Sequence, residues 1–151
     1  MVMSVIESSN LALYPEEAAA ALQKLTQLTS ICLKGRAYRL DQPLHLVPAR
    51  HAVFRGTLEG ADVVFRLALS AKARETMAGE WAELSRVWPH MSAPPFTVQQ
   101  PLFHAAKAGL TITALARGEG LLTALWRLPP EARHAPIALS ADWLHKLTAP
   151  S

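Results

Sequence analysis

The chain has 151 residues and a formal net charge of +3; 50% of its residues are hydrophobic and 18% are charged. This composition is sufficient for a sizeable core, so it predicts one folded domain, with or without an arm, and excludes a disordered tail. The positive charge is small and spread along the sequence, which is not typical of nucleic-acid-binding proteins.

Cysteine content and hydropathy exclude further classes of protein. Because Cys32 is the single cysteine, the sequence contains no internal disulfide framework and no cysteine metal site. The N-terminal residues lack the basic segment and the cleavage signal of a secretory leader. No apolar run reaches the length of a membrane-spanning helix. We therefore expect a cytoplasmic protein with neither a membrane partner nor a nucleic-acid partner.

The first predicted helix covers residues 15–29 and follows an arm at residues 1–13. Pro15 suits the first turn of a helix because its missing N–H is not needed there, and the two glutamates after it favour the positive end of the helix dipole. Three leucines recur at helical spacing: Leu22, Leu25 and Leu28. The helix therefore has one apolar side, which is predicted to pack on another element.

Residues 51–58 and 62–69 are predicted to form a β-hairpin. Both runs are typical of strands, and the short connection between them contains Gly60. In the second strand, alternate residues form a strongly apolar face: Val63, Phe65, Leu67 and Leu69. Arg66 belongs to the opposite face of the same strand, so its side chain is predicted to point into the other layer of the domain.

From residue 72 to residue 88 the pattern becomes helical. Apolar residues recur at i, i+4, i+7 and i+11 and form one stripe: Met77, Trp81, Leu84 and Trp88. Among the acids of this helix, Glu80 lies nearest to the stripe, so it is the acid predicted to point inward. Pro89 ends the helix, and residues 92–96 are predicted to form a rigid loop.

Further strands and helices complete the predicted order. These elements are a strand that begins at Phe96 and ends either before Pro101 or at Phe103, a turn at 107–109, a strand at 110–116, a break at 117–120, and helices at 121–128 and 139–149. Ser140 is the predicted N-cap of the last helix. The fold class is α+β: an antiparallel sheet of about five strands with a packed helix, an N-terminal helix and C-terminal helices.

This order of elements resembles the N-terminal lobe of the kinase-like phosphotransferases, of the aminoglycoside phosphotransferase and choline kinase type. The segment AGEWAELSRVW is similar to the helix that bears the family's inward glutamate. The segment LTITALARGEGL is similar to the last N-lobe strand and the interlobe hinge of the family, and ADWLHKLTA is similar to the first long helix of its C-lobe. The resemblance covers residues 45–149. It implies a kinase-like N-lobe at 45–117, an N-terminal arm and helix at 1–44, and a hinge turn with the first helices of a truncated C-lobe at 118–151.

The resemblance also implies a ligand and the residues that bind it. Arg66 would take the place of the family's lysine or arginine that contacts nucleotide phosphates, and Glu80 would hold Arg66 in position. Backbone groups near the hinge would bind adenine, and these belong to Ala114, Leu115 and Ala116. The implied ligand is ATP with Mg²⁺, so the implied partner is an adenine nucleotide.

Two departures from the family pattern bear on activity. The segment at residues 46–54 contains Pro48 and no glycine, where the family has a glycine-containing nucleotide loop. The acids after Gly118 occur in neither a His-x-Asp nor an Asp-x-Gly context, so the catalytic loop and the metal-binding aspartate are absent. We therefore expect the nucleotide-binding portion of an ATP-dependent small-molecule phosphotransferase, not catalytically competent as this chain.

Other interpretations fit the same residues. Arg66 is also typical of a surface arginine whose stem covers apolar surface. Arg50, Arg55 and the basic residues at 72–74 form either a solvated face or a phosphate-binding one. The chain is alternatively a non-catalytic protein-interaction domain with a kinase-lobe-like sheet, which binds through its N-terminal and C-terminal helices. Apolar residues along 121–149 predict self-association as a homo-oligomer or contact with a C-terminal lobe.

Overall fold

The computed structural model describes residues 13–94, 96–116 and 121–148. The helices are α1 (Pro15–Cys32), α2 (Ala71–Val87), α3 (Leu121–Arg127) and α4 (His134–Thr148). The strands are β1 (Tyr38–Val47), β2 (His51–Leu58), β3 (Ala61–Ala68), β4 (Ser92–Ala93), β5 (Phe96–Thr97), β6 (Pro101–Ala105) and β7 (Leu110–Ala114). Short 3₁₀ turns follow α2 at Trp88–His90 and precede α4 at Pro130–Ala132. The expected break at 117–120 and all of the expected arm except Leu13 lie outside the described residues.

Five strands form one antiparallel sheet in the order β1-β2-β3-β7-β6. The β2–β3 pair is the predicted hairpin, and its turn residues Glu59 and Gly60 both have positive φ. A turn of this kind matches the twist of the two strands that it joins. The predicted α+β fold with a sheet of about five strands is therefore confirmed.

One predicted strand is shorter than expected. The sequence predicts a strand that contains Phe96 and Val98, with or without a continuation past Pro101 to Phe103, but β6 begins at Pro101, and β5 pairs with β4 in a separate two-stranded hairpin. Pro101 has no N–H to donate to a strand ladder, so it is tolerated at the first residue of a strand and not in its interior. The small hairpin also replaces the rigid loop that is predicted at residues 92–96.

α1 covers one face of the sheet and forms the main core with it. Leu25 of α1 and Phe65 of β3 are both fully buried. The same core contains further buried residues from β1, β2, β3 and β7: Leu46, Phe54, Leu67, Leu110 and Ile112. Each buried side chain of this size contributes about 1.5–3 kcal/mol to the free energy of unfolding. The segment boundary expected at residue 44 falls inside β1, and α1 shares its core with the strands beyond that boundary.

α2 covers the opposite face of the sheet less completely. The helix follows Ser70, whose hydroxyl oxygen accepts a hydrogen bond from the Ala73 N–H at 3.1 Å. Met77 and Val87 are its buried residues, whereas Trp81 is only partly buried. Cavities remain between α2 and the sheet, and the candidate site lies there.

α4 begins earlier than the sequence predicts. It starts at His134, and Ser140 lies inside the helix, where its hydroxyl donates to the Pro136 carbonyl oxygen at 2.8 Å. The prediction that Ser140 is the N-cap is therefore wrong. Pro136 explains the difference, because its fixed φ suits the first turn of a helix.

α4 packs loosely on the rest of the fold. The structure describes the whole of this helix, and no residue in it is buried. The Trp143 Nε1 atom attaches it to β5 by donating to the Thr97 carbonyl oxygen at 2.8 Å. Its large exposed apolar side chains are Ile137, Leu139 and Leu144. Among the helices that the structure describes, α4 included, none has the length and apolar character needed to cross a membrane.

Candidate functional site

Arg66 and Glu80 form an ion pair between the sheet and α2. The Arg66 Nη1 atom donates to Glu80 Oε2 at 2.9 Å. Arg66 lies on the α2 side of β3, with Val53 and Thr111 as its cross-strand neighbours. The two side chains are 39% and 49% exposed, so water screens the pair and it contributes little to stability. The fold thus brings together the base and the acid singled out in the sequence.

Glu80 is the acid of α2 that faces the sheet. Glu83 instead binds Arg86 of the same helix at 3.0 Å, and Glu75 is exposed. Glu80 follows the buried Met77 by three residues, and residues at this spacing lie on the same side of a helix. Glu80 therefore points inward, as the helical pattern predicts.

A cavity of about 460 Å³ lies beside this ion pair, and we call it the basic cavity. Its basic side chains come from a turn, two strands and a helix. Arg50 belongs to the β1–β2 turn, His51 begins β2, Arg66 lies in β3, and Lys72 lies in the first turn of α2. Glu80 is the acid among the lining residues. The excess of positive charge suits the cavity to an anionic ligand.

His51 is mostly uncharged at neutral pH in this cavity. Partial burial lowers its pKa below the usual value for histidine, and the positive charge of Arg66 lowers that pKa further. His45 and Arg50 act in the same direction, and the His45 ring centroid lies 5.9 Å from that of His51. Glu80 raises the pKa of His51. The cavity therefore contains a titratable group whose protonated form an entering anion would favour.

A second cavity, of about 340 Å³, adjoins the basic cavity, and we call it the apolar cleft. Arg66, Met77 and Glu80 line both cavities, so the ion pair lies at their junction. The remaining walls are formed by Leu44, Val53, Val64, Trp81 and Leu84 and by the polar residues Gln99, Thr111 and Thr113. Mainly apolar walls with a few polar groups are typical of sites for small organic ligands.

Leu44 reaches the apolar cleft because of an irregularity in β1. The pairing of β1 with β2 shifts between Pro43 and His45, which makes Leu44 an extra residue in a β-bulge. A bulge redirects side chains relative to the regular alternation of a strand. Sequence reasoning missed this wall of the cleft, and Pro43 within a strand is the signal that could have indicated it.

The turn between β1 and β2 forms one wall of the basic cavity without a glycine. The Arg50 N–H donates to the Val47 carbonyl oxygen at 3.0 Å and closes a β-turn with Pro48 and Ala49 at its centre. Ala49 has a φ of +62°, in the left-handed region that favours glycine. Because Pro48 has no N–H and that of Arg50 is already bonded, this turn offers little of the backbone cradle that a glycine-rich loop provides.

Ala114, Leu115 and Ala116 lie at and just beyond the end of β7. The Ala114 N–H donates to the Gln100 carbonyl oxygen at 2.9 Å, and the Leu115 N–H donates to the Asp62 carbonyl oxygen at 3.1 Å. Both N–H groups belong to the segment expected to bind adenine, and both already donate hydrogen bonds within the protein. An adenine at this end of β7 would have to bind the carbonyl groups or the Ala116 N–H.

The basic residues noted in the sequence separate into two groups. Arg50 and Lys72 line the basic cavity, whereas Arg55 and Arg74 line neither cavity. The Arg74 side chain instead packs over the turn at Gly109. The sequence grouped Arg50 and Arg55 with the basic residues at 72–74, and the packing of α2 on the sheet brings only Arg50 and Lys72 of that group into the cavity.

His104 supports the far wall of the apolar cleft. The His104 Nδ1 atom lies 3.1 Å from Thr111 Oγ1, and its ring stacks on Trp81 with a centroid separation of 5.3 Å. These contacts fix the position of Trp81 against the sheet. In the sequence, His104 is only one histidine on a predicted strand. Its contact residues, Thr111 of β7 and Trp81 of α2, approach it only in the folded chain.

A metal centre is not found in the part of the chain that the structure describes. Nowhere among residues 13–94, 96–116 and 121–148 do three or more histidine, cysteine, aspartate or glutamate side chains come together as metal ligands. Carboxylate groups are the usual protein ligands of Mg²⁺. In nucleotide sites Mg²⁺ is held by one or two carboxylates together with the phosphates, and among the described residues that line the basic cavity the acid is Glu80, which is already paired with Arg66.

Comparison with known proteins assigns no family to this chain. No protein-family model matches the sequence, and no curated protein matches it significantly. The function is therefore inferred from the chemistry of the two cavities.

Proposed function

We propose that this chain binds an adenine nucleotide and is the nucleotide-binding portion of an ATP-dependent small-molecule phosphotransferase. The observation that carries the proposal is the junction of the basic cavity with the apolar cleft at Arg66 and Glu80. A nucleotide has the same two halves, an anionic phosphate chain and a flat base with a large apolar surface.

Each half of the ligand has matching residues. The Arg66 guanidinium would bind phosphate oxygens through two parallel N–H groups, and Glu80 would fix the direction of that guanidinium. Val53 and Val64 in the apolar cleft would contact the base. Bound ATP would supply the phosphoryl group for transfer, while the described residues bind and orient it. Because the acid that lines the basic cavity, Glu80, is already paired with Arg66, we assign these residues binding and no step of the transfer.

Calorimetric titration with ATP, inorganic triphosphate and adenosine tests the proposal. The Arg66→Gln variant should bind ATP about tenfold to hundredfold more weakly, because a charged hydrogen bond contributes about 1.5–3 kcal/mol. Adenosine binding should stay unchanged. Arg86→Gln is the matched control, since Arg86 pairs with Glu83 on the same helix and lines neither cavity.

Two results would contradict the proposal. The first is an equal loss of ATP and adenosine affinity in Arg66→Gln, which would exclude a phosphate role for Arg66. The second is an absence of ATP binding by the unmodified chain, which would exclude the nucleotide site altogether.

The loose packing of α4 favours a second candidate function, a protein-interaction domain. Ile137 and Leu144 are 50% and 55% exposed, and an isolated helix of this length is marginal in water. Contact with a partner protein, or with a second copy of the chain, would cover this face. Sedimentation at increasing concentration should show self-association that Leu144→Glu removes and Ala135→Glu, at an exposed position elsewhere on α4, does not. A monomer at every concentration would exclude a homo-oligomer.

A further inference from the structure

Two cations of the basic cavity are not neutralised by ion pairs. Arg50 and Lys72 are exposed side chains that line the cavity from the β1–β2 turn and from α2. Within the described residues, the ion pairs include neither of them. Arg66, by contrast, is already paired with Glu80. The largest uncompensated positive charge in the cavity therefore belongs to Arg50 and Lys72.

Two backbone N–H groups beside the cavity already have hydrogen-bond partners. In the β1–β2 turn, Pro48 has no backbone N–H, and the Arg50 N–H donates to the Val47 carbonyl oxygen. At the start of α2, the Ala73 N–H donates to the Ser70 hydroxyl oxygen. An anion in the cavity would therefore not bind these two N–H groups, and Arg50 and Lys72 would contact it through their side chains.

His51 lies among these cations and adds a charge that depends on pH. The charged or titratable groups that face it are His45 on β1, Arg50 in the turn, Arg66 on β3 and Glu80 on α2. An anion near these cations would reduce their repulsion of a protonated imidazole. Protonation of His51 and binding of an anion are thus expected to favour each other, because linked binding is reciprocal.

We propose that the basic cavity binds a polyphosphate through the side chains of Arg50 and Lys72 together with Arg66, and that His51 strengthens this binding when it is protonated. The inference deepens the proposed function and rests on it for the identity of the ligand, the phosphate chain of a nucleotide. Cations that project from separate elements can contact several phosphates at once. Affinity should therefore rise from phosphate to pyrophosphate to triphosphate.

Calorimetric titration with inorganic triphosphate at constant ionic strength tests the side-chain contacts. Arg50→Gln and Lys72→Gln should each weaken binding by about fivefold or more, and the double variant by about thirtyfold, because charged hydrogen bonds to phosphate are lost. Arg55→Gln, which removes a basic residue outside both cavities, should stay within about twofold of the unmodified chain. Triphosphate binding that is unaffected in the double variant would overturn the proposal.

Sulfate is the probe for the role of His51, because the charge of sulfate does not change between pH 5.5 and pH 8. These two pH values bracket the usual histidine pKa of about 6.5. NMR titration of the unmodified chain should show a higher pKa for His51 with sulfate than without it. Sulfate should bind more tightly at pH 5.5 than at pH 8, and His51→Gln should remove this difference. A His51 pKa that sulfate does not change would overturn this part of the proposal.

The two proposals fail in different ways. If ATP binds no more tightly than inorganic triphosphate, the apolar cleft does not bind the base and the proposed function fails, while the polyphosphate site remains. If ATP binding depends on Arg66 but not on Arg50 or Lys72, the proposed function stands and the side-chain site is wrong. The unfolding midpoint of each variant shows whether it is folded.

Discussion

The Nη1 atom of Arg66 lies 2.9 Å from Oε2 of Glu80, and this contact joins β3 to α2 at the boundary between the two cavities. Both side chains remain about half exposed. The pair is therefore placed to orient a ligand group, while it changes the free energy of unfolding only slightly.

The coupling free energy between Arg66 and Glu80 should be small. In a double-mutant cycle with Arg66→Gln and Glu80→Gln, we expect about 0.2–1 kcal/mol from urea unfolding, because water screens an exposed pair. The Glu83–Arg86 pair of α2 is the control and should give a similar value. A coupling above about 2 kcal/mol would identify Arg66–Glu80 as a structural pair, since exposed pairs do not reach that value.

α1 should be essential to the stability of the sheet. Leu25 is fully buried in the main core, so Leu25→Ala should lower the free energy of unfolding by about 2–5 kcal/mol. Leu22 lies on the same helix and is 39% exposed, and Leu22→Ala should cost less than about 1 kcal/mol. Equal effects of the two substitutions would mean that α1 does not pack on the sheet as the structure shows.

Gly56 should tolerate no side chain. A Cβ atom at this position would approach the Arg39 carbonyl oxygen to 2.0 Å, and β1 would have to move. Gly56→Ala should therefore destabilise the protein by about 3 kcal/mol. At Gly79 of α2, by contrast, a Cβ atom would enter open space. Gly79→Ala should therefore stabilise the protein by about 0.5–1 kcal/mol, because alanine has the higher helix propensity. A neutral Gly56→Ala variant would contradict the close pairing of β1 and β2.

Stability should fall as the pH is lowered below about 6.5, the usual histidine pKa. The folded state holds the pKa of His51 below that value, so the unfolded chain binds a proton in a range where the folded chain does not. The contribution of His51 to the free energy of unfolding is therefore present above pH 6.5, and it is lost as the pH falls towards the pKa of His51 in the folded state. Urea midpoints from pH 8 to pH 5 should decline less in His51→Gln than in the unmodified chain.

A matched control separates this effect from general acid destabilisation. His134 is an exposed histidine at the start of α4, and His134→Gln should retain the full decline in urea midpoint. Identical pH profiles for His51→Gln and the unmodified chain would show that His51 does not control the decline.

The periodic parts of the fold could be predicted from the sequence. One-sided helices and alternating strands must bury their apolar faces, and this requirement determined α1, α2 and the β2–β3 hairpin. The same periodicities placed Arg66 opposite the apolar face and Glu80 on the inner side of α2. Both are local geometric rules, so no knowledge of the tertiary structure was needed.

The remaining features depend on contacts between distant residues. The bulge at Leu44 is defined by the pairing of β1 with β2, and Pro43 is the local signal for an irregularity there. Ser140 has good capping chemistry, but Pro136 moves the start of α4 before it. The sequence offered Arg50, Arg55 and the basic residues at 72–74 as one candidate phosphate-binding face, but only the packing of α2 on the sheet determines that Arg50 and Lys72 line one cavity.

All lining residues of the basic cavity come from one continuous stretch, from Pro48 to Glu80, comprising a turn, a hairpin and most of a helix. Contacts between residues that are close in sequence lose little chain entropy when they form, and such units fold quickly. We therefore expect the cavity to take shape early in folding, before β6 and β7 complete the sheet. An anion bound at that stage would neutralise clustered cations and assist the first steps of the folding reaction.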